Sequence, residues 1–157
     1  MGARSMFLRA GLMTTLLPCL LADSLRGQGG SPGNMTRLLQ SSAPACSAAD
    51  EAAMSQLGSG NADGTFPKYL SQCGKKNYNI FFGFNSNNFV NCVESDTGLS
   101  SSCANCFVGS AQYGADNCKW SCFWGSWCGQ SCLNCVASST AATQQCAGVP
   151  VPQATSC

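Results

Sequence analysis

Apolar positions along the chain recur mostly at helical intervals. In the run Cys118–Cys135, residues Trp120, Phe123, Trp124 and Trp127 fall at i, i+3, i+4 and i+7. At about 100° per residue these four side chains share one helical face. Cys118, Cys122, Cys128, Cys132 and Cys135 form a second stripe, centred roughly 130° around the same helix. The run therefore predicts one helix fastened along one side, with an aromatic ridge on another. The ridge could be buried core, as aromatic residues dominate small cores. Exposed, it would be a patch for a lipid, glycan or protein partner.

The same period appears upstream. Ser47-Ala48-Ala49-Asp50 has capping-box spacing and predicts a helix from Ser47 to Gly58. Thr65 caps a second helix with Phe66, Tyr69, Leu70 and Cys73 on one face and Gly74 as its stop. Residues 78–84 (YNIFFGF) fit either a short buried helix or an extended strand, and periodicity does not decide. Ser86 caps a helix carrying Phe89, Cys92 and Val93, with Gly98 beyond it. Ser100 or Ser101 caps another, with Cys103, Cys106, Phe107 and Ser110 on one face and a stop at Gly114. After Cys135 the chain is small and polar as far as Cys146, followed by an extended Val149-Pro150-Val151-Pro152 tail that Cys157 is expected to pin back.

The block Ser102–Ser110 echoes Ser131–Ser139, and each contains a C-x-x-C pair with further cysteines at similar distances on either side. Two copies of a helical unit follow, C-x9/10-C-x2-C-x10/11-C. Cysteines at i and i+3 point the same way and suit a neighbour offering a similar pair. Cys103/Cys106 facing Cys118/Cys122 across a turn near Gly114 would make a two-rung helical hairpin. The expected fold is all-α, a small disulfide-rich bundle of short helices.

The N-terminus sets the compartment. Residues 1–22 combine Arg4 and Arg9 with a short apolar stretch ending in small residues, the pattern of a cleaved signal peptide. Residues 23–45 are rich in Gly, Ser and Pro and form a linker or pro-segment, with Asn34-Met35-Thr36 as a candidate N-glycosylation site. The cysteine-rich domain spans 46–157. Of thirteen cysteines, Cys19 lies in the leader. The remaining twelve (Cys46, Cys73, Cys92, Cys103, Cys106, Cys118, Cys122, Cys128, Cys132, Cys135, Cys146 and Cys157) predict six bridges in a small secreted chain. No mature segment has the length and apolarity of a transmembrane helix.

Composition narrows the chemistry. Only 10% of residues are charged and the formal net charge is +1, so there is no electrostatic case for nucleic acid or for an anionic membrane surface. There is no histidine, which removes His-based acid–base catalysis, His-assisted nucleophiles and His-containing metal sites. Trp127-Cys128-Gly129-Gln130-Ser131-Cys132 has C-x-x-x-C spacing and no surrounding βαβ pattern, so structural bridges are favoured over redox chemistry. Cys103/Cys106 with Cys132/Cys135 could in principle form a four-cysteine zinc site, which the leader and the eight other cysteines disfavour. Glu94 and Asp96 are two apart and do not share a helical face, so a paired-carboxylate site is not expected there. No catalytic residue, metal or cofactor is expected.

Cys73-Gly74-Lys75-Lys76, Gly83-Phe84-Asn85, Asn91-Cys92-Val93, Ser102–Cys106, Asn117-Cys118-Lys119 and Trp127–Cys135 together resemble a group of small secreted cysteine-rich proteins of dinoflagellate algae. The resemblance covers most of 46–146. It implies a secretory route and carries over no activity. In such algae a leader followed by an acid-poor segment can also direct a protein to a complex plastid. Three functions are weighed: a secreted, non-catalytic structural or interaction module; a lipid- or membrane-interacting helical protein of saposin-like character; and, weakest, a thiol–disulfide oxidoreductase. Exposure of Trp120, Phe123, Trp124 and Trp127 is what separates the first two.

Overall fold

The computed structural model describes residues 43–157. The leader, most of the 23–45 segment and the Asn34 sequon lie outside the described residues. The elements in order are α1 (Ala48–Leu57), α2 (Phe66–Lys76), β1 (Tyr78–Asn79), β2 (Gly83–Phe84), α3 (Ser86–Thr97), α4 (Ser101–Asn105), α5 (Val108–Asn117), α6 (Lys119–Cys122) and α7 (Gln130–Ala147). The strands pair antiparallel as one short hairpin, Tyr78 opposite Phe84. The protein is thus a small disulfide-rich helical one, as the periodicity predicts.

The apolar core is concentrated in the first four helices and the segments that follow α3 and α4. Met54 of α1, Phe66 of α2, Phe89 and Val93 of α3, Leu99 and Phe107 are all buried. Phe107 stacks edge-on against Phe66 with ring centroids 5.2 Å apart, and Phe84 brings the hairpin onto Phe89 at 5.3 Å. Such aromatic pairs add about 0.5–1.5 kcal/mol beyond the area they bury.

One carboxylate organises the polar side of this core. Asp50 is buried and completes the capping box of α1: the Ser47 backbone N–H and hydroxyl donate to its Oδ2 at 2.8 and 2.7 Å. From the next corner, the Ser100 N–H donates to Oδ1 at 2.7 Å and the Ser100 hydroxyl to Oδ2 at 2.9 Å. Ser100 is itself the N-cap of α4. Asp50 therefore ties two helix starts together, beside the Cys46–Cys103 bridge. Burial opposes its charge, yet the four hydrogen bonds outweigh burial and lower its pKa to about 2.

All twelve cysteines of the domain are bridged: Cys46–Cys103, Cys73–Cys92, Cys106–Cys146, Cys118–Cys135, Cys122–Cys132 and Cys128–Cys157. The last pins the tail, which also runs along the α1–α2 loop through Gly60 N–H to the Gln153 carbonyl at 2.9 Å.

Several expectations are corrected. The run Cys118–Cys135 is not one helix. α6 ends at Cys122, the chain reverses through 123–129, and α7 begins at Gln130. A straight helix would hold Cys118 and Cys135 about 25 Å apart, whereas their Cα atoms are 5.8 Å apart. Gly125 lies in this reversal, where a Cβ would come within 2.5 Å of the Ser121 carbonyl oxygen. The expected hairpin of Cys103/Cys106 with Cys118/Cys122 does not form. Gly114 lies inside α5, which separates Cys106 from Cys118 by about 18 Å of helix. Cys106 instead reaches Cys146 at the far end of α7, and Cys118 reaches Cys135 near its start. In both echoed blocks the C-x-x-C pair sits at a helix, α4 or α7, but the bridges differ: Cys103 and Cys106 bond Cys46 and Cys146, whereas Cys132 and Cys135 bond Cys122 and Cys118. Gly74 does not stop α2, which continues to Lys76. The polar stretch 137–145 is the second half of α7.

Replacing Asp50 by Asn removes the charge from this corner and should cost about 1–3 kcal/mol at neutral pH. A depressed carboxylate pKa contributes stability that is complete above its unfolded value of about 3.9 and is lost as pH falls towards about 2. The wild type should lose stability across that window, and Asp50→Asn should flatten the loss; denaturant titrations at pH 5, 4, 3 and 2 check both. The Cys106→Ser/Cys146→Ser double variant should lose about 2–4 kcal/mol, with amide exchange accelerated first in the C-terminal half of α7.

Candidate functional site

The predicted aromatic ridge is divided by the α6–α7 reversal. Trp120 and Phe123 belong to α6 and its C-cap, and Trp124 follows directly. Trp124 meets Phe123 edge-on at 5.2 Å and Trp120 at 6.3 Å. The three are 77%, 37% and 60% exposed for Trp120, Phe123 and Trp124 respectively, so they form a surface cluster and not a core. Trp127 leaves the group. It is half-buried and carries the Lys68 ammonium 5.4 Å from its ring centroid. Lys68 is held there by Asp63, 3.3 Å away.

A second exposed group joins the cluster. Ile80, Phe81 and Phe82 occupy the hairpin tip with exposures of 66%, 86% and 90%. They are the part of this surface that periodicity missed, because an apolar triplet between two strands has no face to bury. The signal was local: Asn79 and Gly83 bracket the triplet. Asn79 Oδ1 accepts the Phe81 N–H at 2.8 Å and the Phe82 N–H at 3.2 Å, and Gly83 takes the left-handed conformation at φ 79°. At the hairpin base Tyr78 packs edge-on against Phe123, ring centroids 5.4 Å apart. The rings therefore connect from the hairpin through Tyr78 and Phe123 to Trp124 and Trp120. The α6–α7 reversal beneath them is fixed by Cys118–Cys135 and Cys122–Cys132.

Behind this surface lies a partly open cavity of about 270 Å³, bounded by α2, α5, α7 and the tail. Tyr78, Phe123 and Trp127 line it, so the cavity and the aromatic surface share walls.

The cysteine candidates have a different outcome. Cys103, Cys106, Cys132 and Cys135 each bond a different partner and do not assemble as a zinc set. Neither C-x-x-C pair, nor Cys128 with Cys132, is an internal disulfide of redox type. Asp96 Oδ2 lies 3.6 Å from the sulfurs of both Cys73 and Cys92, but these sulfurs are bonded to each other and carry no proton or open thiolate. Asp50, the acid with the depressed pKa, spends its carboxylate on the caps of α1 and α4. Among the described residues no helix is long and apolar enough to cross a membrane.

Acrylamide quenching distinguishes the three tryptophans. In variants retaining one tryptophan each, Trp120 and Trp124 should quench several-fold more strongly than Trp127, whose emission should also lie further to the blue; equal quenching of all three would contradict the divided ridge.

Compared with protein-family models, curated proteins and solved structures, the chain matches none.

Proposed function

We propose that the chain is a secreted, disulfide-stapled, non-catalytic module that engages a lipid–water interface through the hairpin tip and the α6 aromatics. The observation carrying this reading is the presentation of Phe81 and Phe82, the most exposed of its large apolar side chains, on a tip whose turn is held by Asn79. Withdrawing a Phe from water is worth about 1.5–3 kcal/mol. A small domain that leaves two adjacent phenylalanines outside while burying Phe66, Phe89 and Phe107 has a surface suited to a partner. The accompanying residues fit an interface: tryptophan and tyrosine combine an apolar ring with a polar edge and favour the boundary between water and hydrocarbon.

Secretion is supported by the leader at 1–22 and by the complete pairing of Cys46 through Cys157. A route through the secretory pathway to another compartment, such as a complex plastid, would pass the same oxidising lumen in which such bridges form. The non-catalytic reading rests on the bridging of every cysteine of the domain and on the structural occupation of Asp50.

Tryptophan emission with and without phosphatidylcholine vesicles tests the proposal. Binding should shift emission to the blue through Trp120 and Trp124. Phe81→Ser/Phe82→Ser should weaken partitioning at least about a hundredfold, because each phenylalanine inserted is worth about a tenfold change or more. No shift with the wild type would reject the lipid reading in favour of a protein or glycan partner.

A further inference from the structure

We infer that the cavity behind the aromatic surface binds one long-chain fatty acid, its tail between α2, α5 and α7 and its carboxylate at Lys75 and Lys119. This goes beyond the membrane reading and does not rest on it, since the cavity has its own walls, size and charge.

The walls are suited to a hydrocarbon chain. Leu70 of α2, Phe107 and Ala111 before and on α5, and Leu133 and Val136 of α7 face the space. The buried polar residue of the wall, Thr143, is already paired: its hydroxyl and that of Ser110 contact each other across α5 and α7, and Thr143 also donates to the Ser139 carbonyl at 3.3 Å. A tail entering there need not satisfy an orphan donor or acceptor. At about 270 Å³ the cavity lies just below the range of small-molecule sites, which begins at about 300 Å³. It suits a single chain better than a two-tailed lipid.

The charge on the lining selects the head group. The described residues contain four basic side chains, Lys68, Lys75, Lys76 and Lys119. Lys75 and Lys119 belong to the cavity lining, and no Asp or Glu does. Lys68 is paired with Asp63, whereas Lys75 and Lys119 have no carboxylate within salt-bridge distance among the described residues. The segments that carry them approach each other. Lys75 is three residues before Tyr78, Lys119 is four before Phe123 on α6, and the Tyr78 and Phe123 rings are in contact. An anionic head there would gain two charge-assisted donors at the boundary of an apolar space. Tyr78 and Phe123 line the cavity and also belong to the aromatic surface, so the cavity adjoins a surface at which a chain could be exchanged with a membrane.

Purified, fully oxidised protein titrated with cis-parinaric acid tests this directly, with energy transfer from Trp127 as the signal. Saturable one-to-one binding is expected, with oleic acid displacing the probe at least tenfold more effectively than oleyl alcohol. Lys75→Gln/Lys119→Gln should lower oleic acid affinity about tenfold and leave oleyl alcohol unchanged. Ala115→Phe, which fills the cavity from α5, should abolish binding of both, with circular dichroism verifying that each variant is folded. Phe81→Ser/Phe82→Ser should bind oleic acid like the wild type even where vesicle binding is lost, which separates this inference from the membrane reading. Absence of saturable binding, equal displacement by acid and alcohol, or an unchanged acid affinity in the double lysine variant would each overturn it.

Discussion

The structure depends on holding α7 against α5 without a conventional apolar interface. α7 is eighteen residues long and fully buries only Cys132, Thr143 and Ala147, while α5 fully buries none of its residues. Their contact is made of small side chains, with Gly114 against Val136 and Ser110 against Thr143. Hydrophobic burial on that scale would not fix a helix pair. The Cys106–Cys146 and Cys118–Cys135 bridges do so, one at each end. Their geometry is matched in advance: eleven residues from Cys135 to Cys146 and twelve from Cys106 to Cys118 span nearly equal lengths of antiparallel helix, about 17 and 18 Å. Cross-links at about 2–4 kcal/mol each replace what a larger core would otherwise contribute.

This division of labour explains which parts of the fold were legible in the sequence. α1 and α3 announce themselves through local chemistry. The capping box at Ser47 and Asp50, the glycine at 58 and the left-handed Gly98 are determined within a few residues of the helix they bound. The cap of α3 is displaced by one position, from Ser86 to Asn85, because Asn85 Oδ1 accepts the Asn88 N–H. Gly74 and Gly114 misled for the opposite reason. A glycine inside a helix costs only about 1 kcal/mol, and both helices are anchored by bridges at Cys73, Cys106 and Cys118 that exceed this cost. The second half of α7 could not be read from periodicity, since alanine, serine and threonine leave almost no apolar face to detect.

The aromatic surface shows the same limit. Four aromatic residues at helical spacing look like one ridge, yet helical spacing predicts a shared face only if the helix is uninterrupted. Bridge connectivity interrupts it, and connectivity among twelve cysteines is not encoded in their spacing alone. Cys122–Cys132 and Cys118–Cys135 fold the run into a hairpin, which leaves Trp120, Phe123 and Trp124 outside and turns Trp127 towards Lys68. The exposed triplet at Ile80–Phe82 was hidden for a simpler reason. An apolar run is expected to be buried, and only the turn residues on either side indicate that it is a tip.

The cavity follows from the same constraint as the fold. Protein interiors normally close to high density, because voids forfeit dispersion contacts and are destabilising in proportion to their volume. A pair of helices held by apolar packing would collapse towards each other or recruit larger side chains. Here the spacing of α5 and α7 is set covalently, and the residues between them are too small to fill it. Tyr78, Phe123 and Lys119, residues carried by the hairpin and by the stapled α6 segment, line the space left over. Underpacking and surface aromatics are therefore not independent features of this chain. Both arise because bridges, and not burial, fix the positions of α6 and α7: Trp120, Phe123 and Trp124 are left at the surface, and the lightly packed contact of α5 with α7 leaves a cavity beside it.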